Sequence, residues 1–147
     1  MNESTHVLIV DDDASRRAFV CQTAKKHGVV ASHISEAADE TGAVSIIRSG
    51  VPIHLACIDV HLTPAEGSEG FRLMQLVRET HPTCRVIGIS SSIDPSVGAD
   101  VMNIAKADDY IQTSVIEIPW RKYCAERLRI GFLFARHHQA QKVLATG

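Results

Sequence analysis

The chain has 147 residues, 45% of them hydrophobic and 22% charged, the proportions of one soluble domain able to bury a single core. No run reaches the roughly 18 apolar residues a membrane helix needs, and Met1-Asn2-Glu3-Ser4-Thr5-His6 lacks the regions of a secretory signal, so neither a membrane span nor secretion is expected. The net charge of -2 argues against a chain given over to nucleic acid, yet it hides an asymmetry: residues 1–118 hold nine Lys and Arg against sixteen Asp and Glu, residues 119–147 six against one.

His6-Val7-Leu8-Ile9-Val10 is short, apolar and β-branched and stops at Asp11-Asp12-Asp13, as a buried parallel strand ending at a polar rim would. Asp13 or Ser15 can cap a helix running to about His27, with Phe19, Val20, Thr23 and Ala24 on one face and Gly28 as its stop. Val29 to Ile34 reads as a second strand, and Asp39 to Ser49 as a second helix ended by Gly50. The third strand, Leu55-Ala56-Cys57-Ile58, again runs straight into an acid, Asp59.

A loop rich in turn formers follows, from Leu62 through Pro64, Glu66, Gly67 and Glu69 to Gly70, with its two acids expected in solvent. Phe71, Met74 and Val77 then mark a helix to Glu79. Arg85-Val86-Ile87-Gly88-Ile89 is a fourth strand that ends in Ser90-Ser91-Ser92, and Asp94-Pro95-Ser96 opens a helix to about Ala105. Tyr110-Ile111 forms a short fifth strand, and Pro119 starts the last helix. Five strands alternating with five helices imply an α/β fold: a five-stranded parallel sheet, doubly wound as (βα)5, with an extended C-terminal helix.

Cys21, Cys57, Cys84 and Cys124 are scattered, without a C-x-x-C pair or zinc-ligand spacing. Reduced thiols used for packing, in a cytoplasmic protein, are the simplest reading.

In open sheets of this kind ligands bind outside the carboxyl ends of the strands, where the strand order reverses. The residues just after the strands are therefore the informative ones: Asp11, Asp12 and Asp13, then Asp59, then Ser90 and Ser91. Carboxylates gathered together repel, and a hard divalent cation such as Mg²⁺ is the usual means of keeping them ionised. Such a cluster with nearby hydroxyls suits phosphoryl chemistry, in which one carboxylate can itself be the nucleophile. Asp59, alone at the end of a buried strand, is the candidate.

Val7-Leu8-Ile9-Val10-Asp11-Asp12-Asp13, Ala56-Cys57-Ile58-Asp59-Val60-His61-Leu62, Val86-Ile87-Gly88-Ile89-Ser90-Ser91 and Asp108-Asp109-Tyr110-Ile111 resemble, in order, the motifs of response regulator receiver domains, the CheY-like superfamily of two-component signalling. The resemblance spans roughly residues 5–128 and implies the flavodoxin-like version of the fold. It also implies that Asp59 is the phosphoacceptor for a histidine kinase or phosphotransfer protein, and that Mg²⁺ is held by Asp11, Asp12, Asp59 and the backbone carbonyl of His61. Ser90 and Tyr110 would be the switch residues, the hydroxyl turning to the phosphoryl oxygens and the ring swinging inward behind it.

Two departures stand out. The lysine that the family carries after its fifth strand is replaced by Thr113, followed by Ser114 in place of the usual proline; Lys106 precedes the strand and should point elsewhere. The loop after Asp59 is also longer than usual. In the last helix Trp120, Cys124, Leu128 and Phe132, with Tyr123 and Ala135, form a core stripe. Ile130-Gly131-Phe132-Leu133-Phe134 then spreads apolar side chains beyond one face. The expected division is a receiver over 1–128 and an extension over 129–147, serving a homodimer through the C-terminal helix or a link to an output domain. Its basic residues are expected to be solvated, without a nucleic-acid partner.

The leading function is a phospho-accepting switch that turns over no external substrate. The alternative is a degenerate receiver that, lacking the lysine, acts as a phosphorylation-independent interaction or dimerisation module. A phosphatase of the haloacid-dehalogenase type, with its nucleophile on the first strand, fits poorly, because the chain offers neither room for a cap nor a suitable lysine.

Overall fold

Four consecutive apolar residues, all buried, make β1 (Val7–Val10) a strand covered on both faces. The computed structural model describes residues 5–62, 68–92, 94–113 and 120–146. Around β1 it assembles β2 (Ile34–Ala37), β3 (Leu55–Asp59), β4 (Arg85–Ser90) and β5 (Asp109–Gln112). All pairs are parallel, in the order β2-β1-β3-β4-β5. The connecting helices are α1 (Ala14–Lys26), α2 (Glu40–Ile47), α3 (Glu69–Thr80), α4 (Pro95–Asn103) and α5 (Trp120–Thr146). This is the doubly wound, flavodoxin-like α/β sheet with a long C-terminal helix expected from the alternation of strand and helix patterns.

The pleat sorts the strand residues into two cores. Leu8, Val10, Ala56, Ile58 and Val86 meet Ile47 of α2, Met74 and Val77 of α3, and Val101 of α4. Val7, Ile9, Leu55, Cys57, Ile87 and Ile111 meet Val20 and Ala24 of α1 and Cys124, Leu128, Phe132 and Ala135 of α5. Trp120 opens α5, and Pro119 and Ser114 lie outside the described residues. Cys57, Cys84 and Cys124 are buried free thiols, and burial pushes all three upward in pKa, which suits packing rather than redox chemistry.

Helix ends follow the local chemistry. Asp13 caps α1 by accepting from the N–H groups of Ser15 at 2.9 Å and Arg16 at 3.2 Å. Asp39 caps α2 through the Gly42 N–H at 2.7 Å, and Asp94, followed by Pro95, caps α4 through the Ser96 N–H at 2.9 Å. Gly28 and Gly50 stop the first two helices at φ 89° and 90°, a conformation only glycine takes without strain.

The second strand differs from the expected Val29 to Ile34. Ala31–His33 form a 3-10 turn instead, and the strand is Ile34–Ala37. Register with β1, Val7 opposite Ile34 and Val10 opposite Ala37, sets it there. An edge strand with only Ala37 buried shows little apolar pattern, so Val29-Val30 drew the sequence reading too early. Glu69 is the other correction: it is buried at the start of α3, its Oε1 accepting from the Ser68 N–H at 3.0 Å, rather than solvated in the loop. The remainder of that loop's acidic stretch, Glu66 included, falls outside the described residues.

The start of α3 lies directly on the end of β3. A Cβ on Gly70 would stand 2.4 Å from the Asp59 carbonyl oxygen and 2.5 Å from that of Val60. Both obstacles are backbone, so the gain in helix propensity from alanine, about 1 kcal/mol, is outweighed by overpacking. Gly70→Ala is expected to lower stability by about 1–3 kcal/mol, measured by urea unfolding.

Candidate functional site

Pairing of β1 with β3 sets Val10 opposite Ile58, so Asp11, just after β1, and Asp59, the last residue of β3, stand side by side at the same end of the sheet. The chain passes from β1 to β2 on one side and to β3 on the other, which makes this end the point where strand order reverses. Both carboxylates are buried, 2% and 3% exposed, while Asp12 stands in solvent at the rim. One oxygen from each of Asp11, Asp12 and Asp59 lies within 4.8 Å of the others.

Local backbone donors fix the two buried acids. The Asp13 N–H donates to Asp11 Oδ1 at 2.9 Å, and the His61 N–H donates to Asp59 Oδ1 at 3.1 Å. Burial, then the charge of Asp11 and the hydrogen bond with Asp12, push the Asp59 carboxyl up to about 8, outweighing the His61 N–H and the Arg16 charge that pull it down. An all-carboxylate donor set in which burial opposes ionisation is chemically matched to a hard divalent cation.

Arg16, in the first turn of α1, reaches into this pocket. Its Nε donates to Asp11 Oδ2 at 2.8 Å and its Nη2 to Asp11 Oδ1 at 2.9 Å; the same Nη2 donates to Asp59 Oδ2 at 3.1 Å. Asp12 Oδ1 is 3.9 Å away. The hydrogen bond to Asp11 raises the guanidinium pKa further, so the group stays charged. Arg17 adds a donor to the Asp11 carbonyl at 2.7 Å.

Reading only the residues that follow the strands missed Arg16. The available signal was its place in the first helical turn, because helical side chains lean toward the N-terminus, here back over the strand end.

Ser90, the last residue of β4, is buried and one step beyond Ile89, which pairs with Asp59, so it sits at the same sheet end. Its Oγ accepts from the Ser92 N–H at 3.0 Å, while Ser91 is exposed. Thr113, just past β5, donates its N–H to the Ser90 carbonyl at 2.9 Å, with its hydroxyl 3.5 Å from the same oxygen.

Tyr110, on the edge strand β5, pairs with Gly88 and is half-buried. Its ring lies so close to α4 that a Cβ on Gly98 would be 3.0 Å from Cδ2. Lys106 lies beyond α4, at the opposite end of the sheet from the acids, and its carbonyl accepts from Arg78. The structure thus gathers Asp11, Asp12 and Asp59, sets Ser90 and Thr113 at the same end, and leaves Tyr110 against α4.

The fold and the pocket together define a doubly wound α/β domain with an acid cluster at the switch point of its sheet. A family model described as the response regulator receiver domain matches residues 7–115. The chain belongs to that family of two-component signalling modules.

Among solved structures it is similar to a CheY-like receiver domain protein from Methanospirillum hungatei, with 21% identity, a TM-score of 0.71 and coverage of 91% of this chain and 98% of that one. It is also similar to a response regulator from Thermotoga maritima, at 25% identity and TM-score 0.67, covering 87% and 98%. A third is a response regulator protein from Burkholderia pseudomallei with a phosphorylated aspartic acid, a calcium ion and citrate, at 14% identity and TM-score 0.68, covering 97% of this chain and 75% of that one. No curated protein matches the chain.

In the metal-free protein Asp59→Asn is expected to raise stability at neutral pH by about 1–3 kcal/mol, since the amide keeps the His61 contact without a buried like charge. An unfolded Asp titrates near about 4, so from there up to about 8 only the native state holds the proton. The advantage of the variant should therefore be absent below about pH 4, grow as pH rises and level off above about 8. Urea unfolding of both proteins across that range checks it, and a gap that does not widen with pH contradicts it.

Proposed function

We propose that this chain is a phospho-accepting receiver in which Asp59 takes a phosphoryl group from a histidine kinase or phosphotransfer protein. The observation that carries this is the placement of Asp59: buried beside Asp11 and Asp12 at the carboxyl end of the sheet. An Asp59 oxygen would form the P–O bond as the donor's P–N bond breaks, the electron pair staying on the departing imidazole nitrogen, to leave an aspartyl phosphate. The Burkholderia relative of the same fold, with its phosphorylated aspartic acid and calcium ion, supports the reading.

The carboxylates of Asp11, Asp12 and Asp59 and the backbone carbonyl of His61 would hold Mg²⁺. When bound, that ion would neutralise charge on the phosphoryl oxygens. Ser90 would donate its hydroxyl to a phosphoryl oxygen, exchanging its contact with the Ser92 N–H, and Tyr110 would turn inward from α4. At the position of the family's lysine, Thr113 offers a hydroxyl and no charge.

The domain would comprise residues 1–128 and work in the cytoplasm, with 129–147 as an extension for dimerisation or for linkage to an output domain. Exposed Leu133 and Phe134 on α5 support that extension as a contact surface. As a signalling module it would turn over no external substrate.

A second reading, a degenerate receiver acting without phosphorylation, is favoured by one specific observation: the only charge among the described side chains that bridges Asp11 and Asp59 is Arg16. Incubation with Mg²⁺ and acetyl phosphate followed by intact-mass measurement separates the two. The proposal predicts a metal-dependent phosphate adduct that Asp59→Asn abolishes. No adduct at any donor concentration supports the degenerate module, and sustained hydrolysis of external phosphoesters overturns both.

A further inference from the structure

Arg16 stands where the acid pocket would offer its lone pairs. A single nitrogen, Nη2, is 2.9 Å from Asp11 Oδ1, 3.1 Å from Asp59 Oδ2 and 3.9 Å from Asp12 Oδ1, and so faces one oxygen of every carboxylate in the cluster. With Nε on Asp11 Oδ2 at 2.8 Å, the guanidinium takes both oxygens of that buried carboxylate in a fork. The side chain is 17% exposed, so the contact is well shielded from screening by salt.

A divalent cation that binds carboxylates directly needs ligand oxygens at about 2.0–2.1 Å for Mg²⁺, with near-octahedral geometry. Asp11 Oδ1 and Asp59 Oδ2 both face the one nitrogen, so the position between them is filled by Nη2 and closed to the ion. A guanidinium within contact distance would also repel it.

We propose that Arg16 is a tethered cation of the acid pocket, which pairs with Asp11 and donates to Asp59 in the metal-free state and must be displaced for a divalent cation to enter. The inference rests on the reading of Asp11, Asp12 and Asp59 as a metal site. Arg16 thereby sets the affinity of that site from within the chain: each binding event exchanges a fixed single charge for a mobile double one. It anchors to the first turn of α1, so ion exchange also removes its link between that turn and the end of β3.

The test is calorimetric titration of MgCl₂ into the full chain, metal-free at the start, for the parent, Arg16→Gln and Arg16→Lys. Arg16→Gln is expected to bind Mg²⁺ about tenfold more tightly, the equivalent of removing one charge-assisted contact. Arg16→Lys keeps the charge without the fork and is expected to fall between the two. Without metal, Arg16→Gln is expected to melt about 5 °C lower than the parent, because the buried Asp11 carboxylate loses its counter-ion and Asp59 a hydrogen-bond donor, with the gap closing as Mg²⁺ is added.

Equal or weaker Mg²⁺ affinity in Arg16→Gln overturns the inference. If that variant does not fold without metal, an affinity of Arg16→Lys no tighter than that of the parent overturns it equally. Should the parent form the Mg²⁺-dependent adduct while the variants bind the ion no more tightly, the inference fails and the phospho-accepting reading stands. If no variant binds Mg²⁺ and no adduct forms, both fail.

Discussion

Two carboxylates held next to each other in a buried setting are the constraint on which the rest of this structure depends. Parallel pairing of β1 and β3 gives Asp11 and Asp59 no freedom to separate, because one directly follows and the other ends a strand whose register is locked by the core beneath it. Their mutual repulsion and desolvation oppose folding, and the hydrophobic cores on both faces of the sheet must offset that cost. The result is a pocket in permanent need of positive charge. Its chemistry follows from that need: whatever cation is nearest, from the chain or from solution, is drawn to the same oxygens.

The backbone at this end is closely packed. The α3 helix lies on the Asp59 and Val60 carbonyls with no space for a methyl group at Gly70. The Val60 N–H donates to the Ile89 carbonyl at 2.8 Å, continuing the sheet past Asp59 and linking the pocket to the end of β4. From there Ser90 passes its carbonyl to the Thr113 N–H at 2.9 Å. A backbone relay thus joins the acid pocket to β5 without involving any long, flexible side chain, and a change of charge at one end meets a stiff path across the sheet.

Much of this was legible in the sequence, for reasons visible in particular residues. Buried central strands such as Leu55-Ala56-Cys57-Ile58 announce themselves as unbroken apolar runs, and Asp11 and Asp59 stood out because an acid directly after such a run is expensive to place. The edge strand was less legible, since Ile34-Ser35-Glu36-Ala37 owes its conformation to pairing with β1 rather than to its own pattern. Glu69 looked like a loop acid because nothing in its neighbours reveals that it is buried at the start of α3. Arg16 was invisible for a related reason. Its role depends on how a helix is aimed across two strand ends, a relation between elements distant in sequence that no local window contains.

The ion pair between Arg127 and Asp109 gives α5 a mechanical meaning. Arg127 donates Nε to Asp109 Oδ2 at 2.9 Å and a second nitrogen to Oδ1, so the helix is clamped to the residue just before Tyr110. The helix beyond this clamp is long: at 27 residues α5 spans about 40 Å, and among the described side chains its buried contacts with the sheet run from Cys124 to Ala135. The tie sits between Cys124 and Leu128, inside the stretch of α5 packed on the sheet, so β5 and that stretch of the helix are held as one piece.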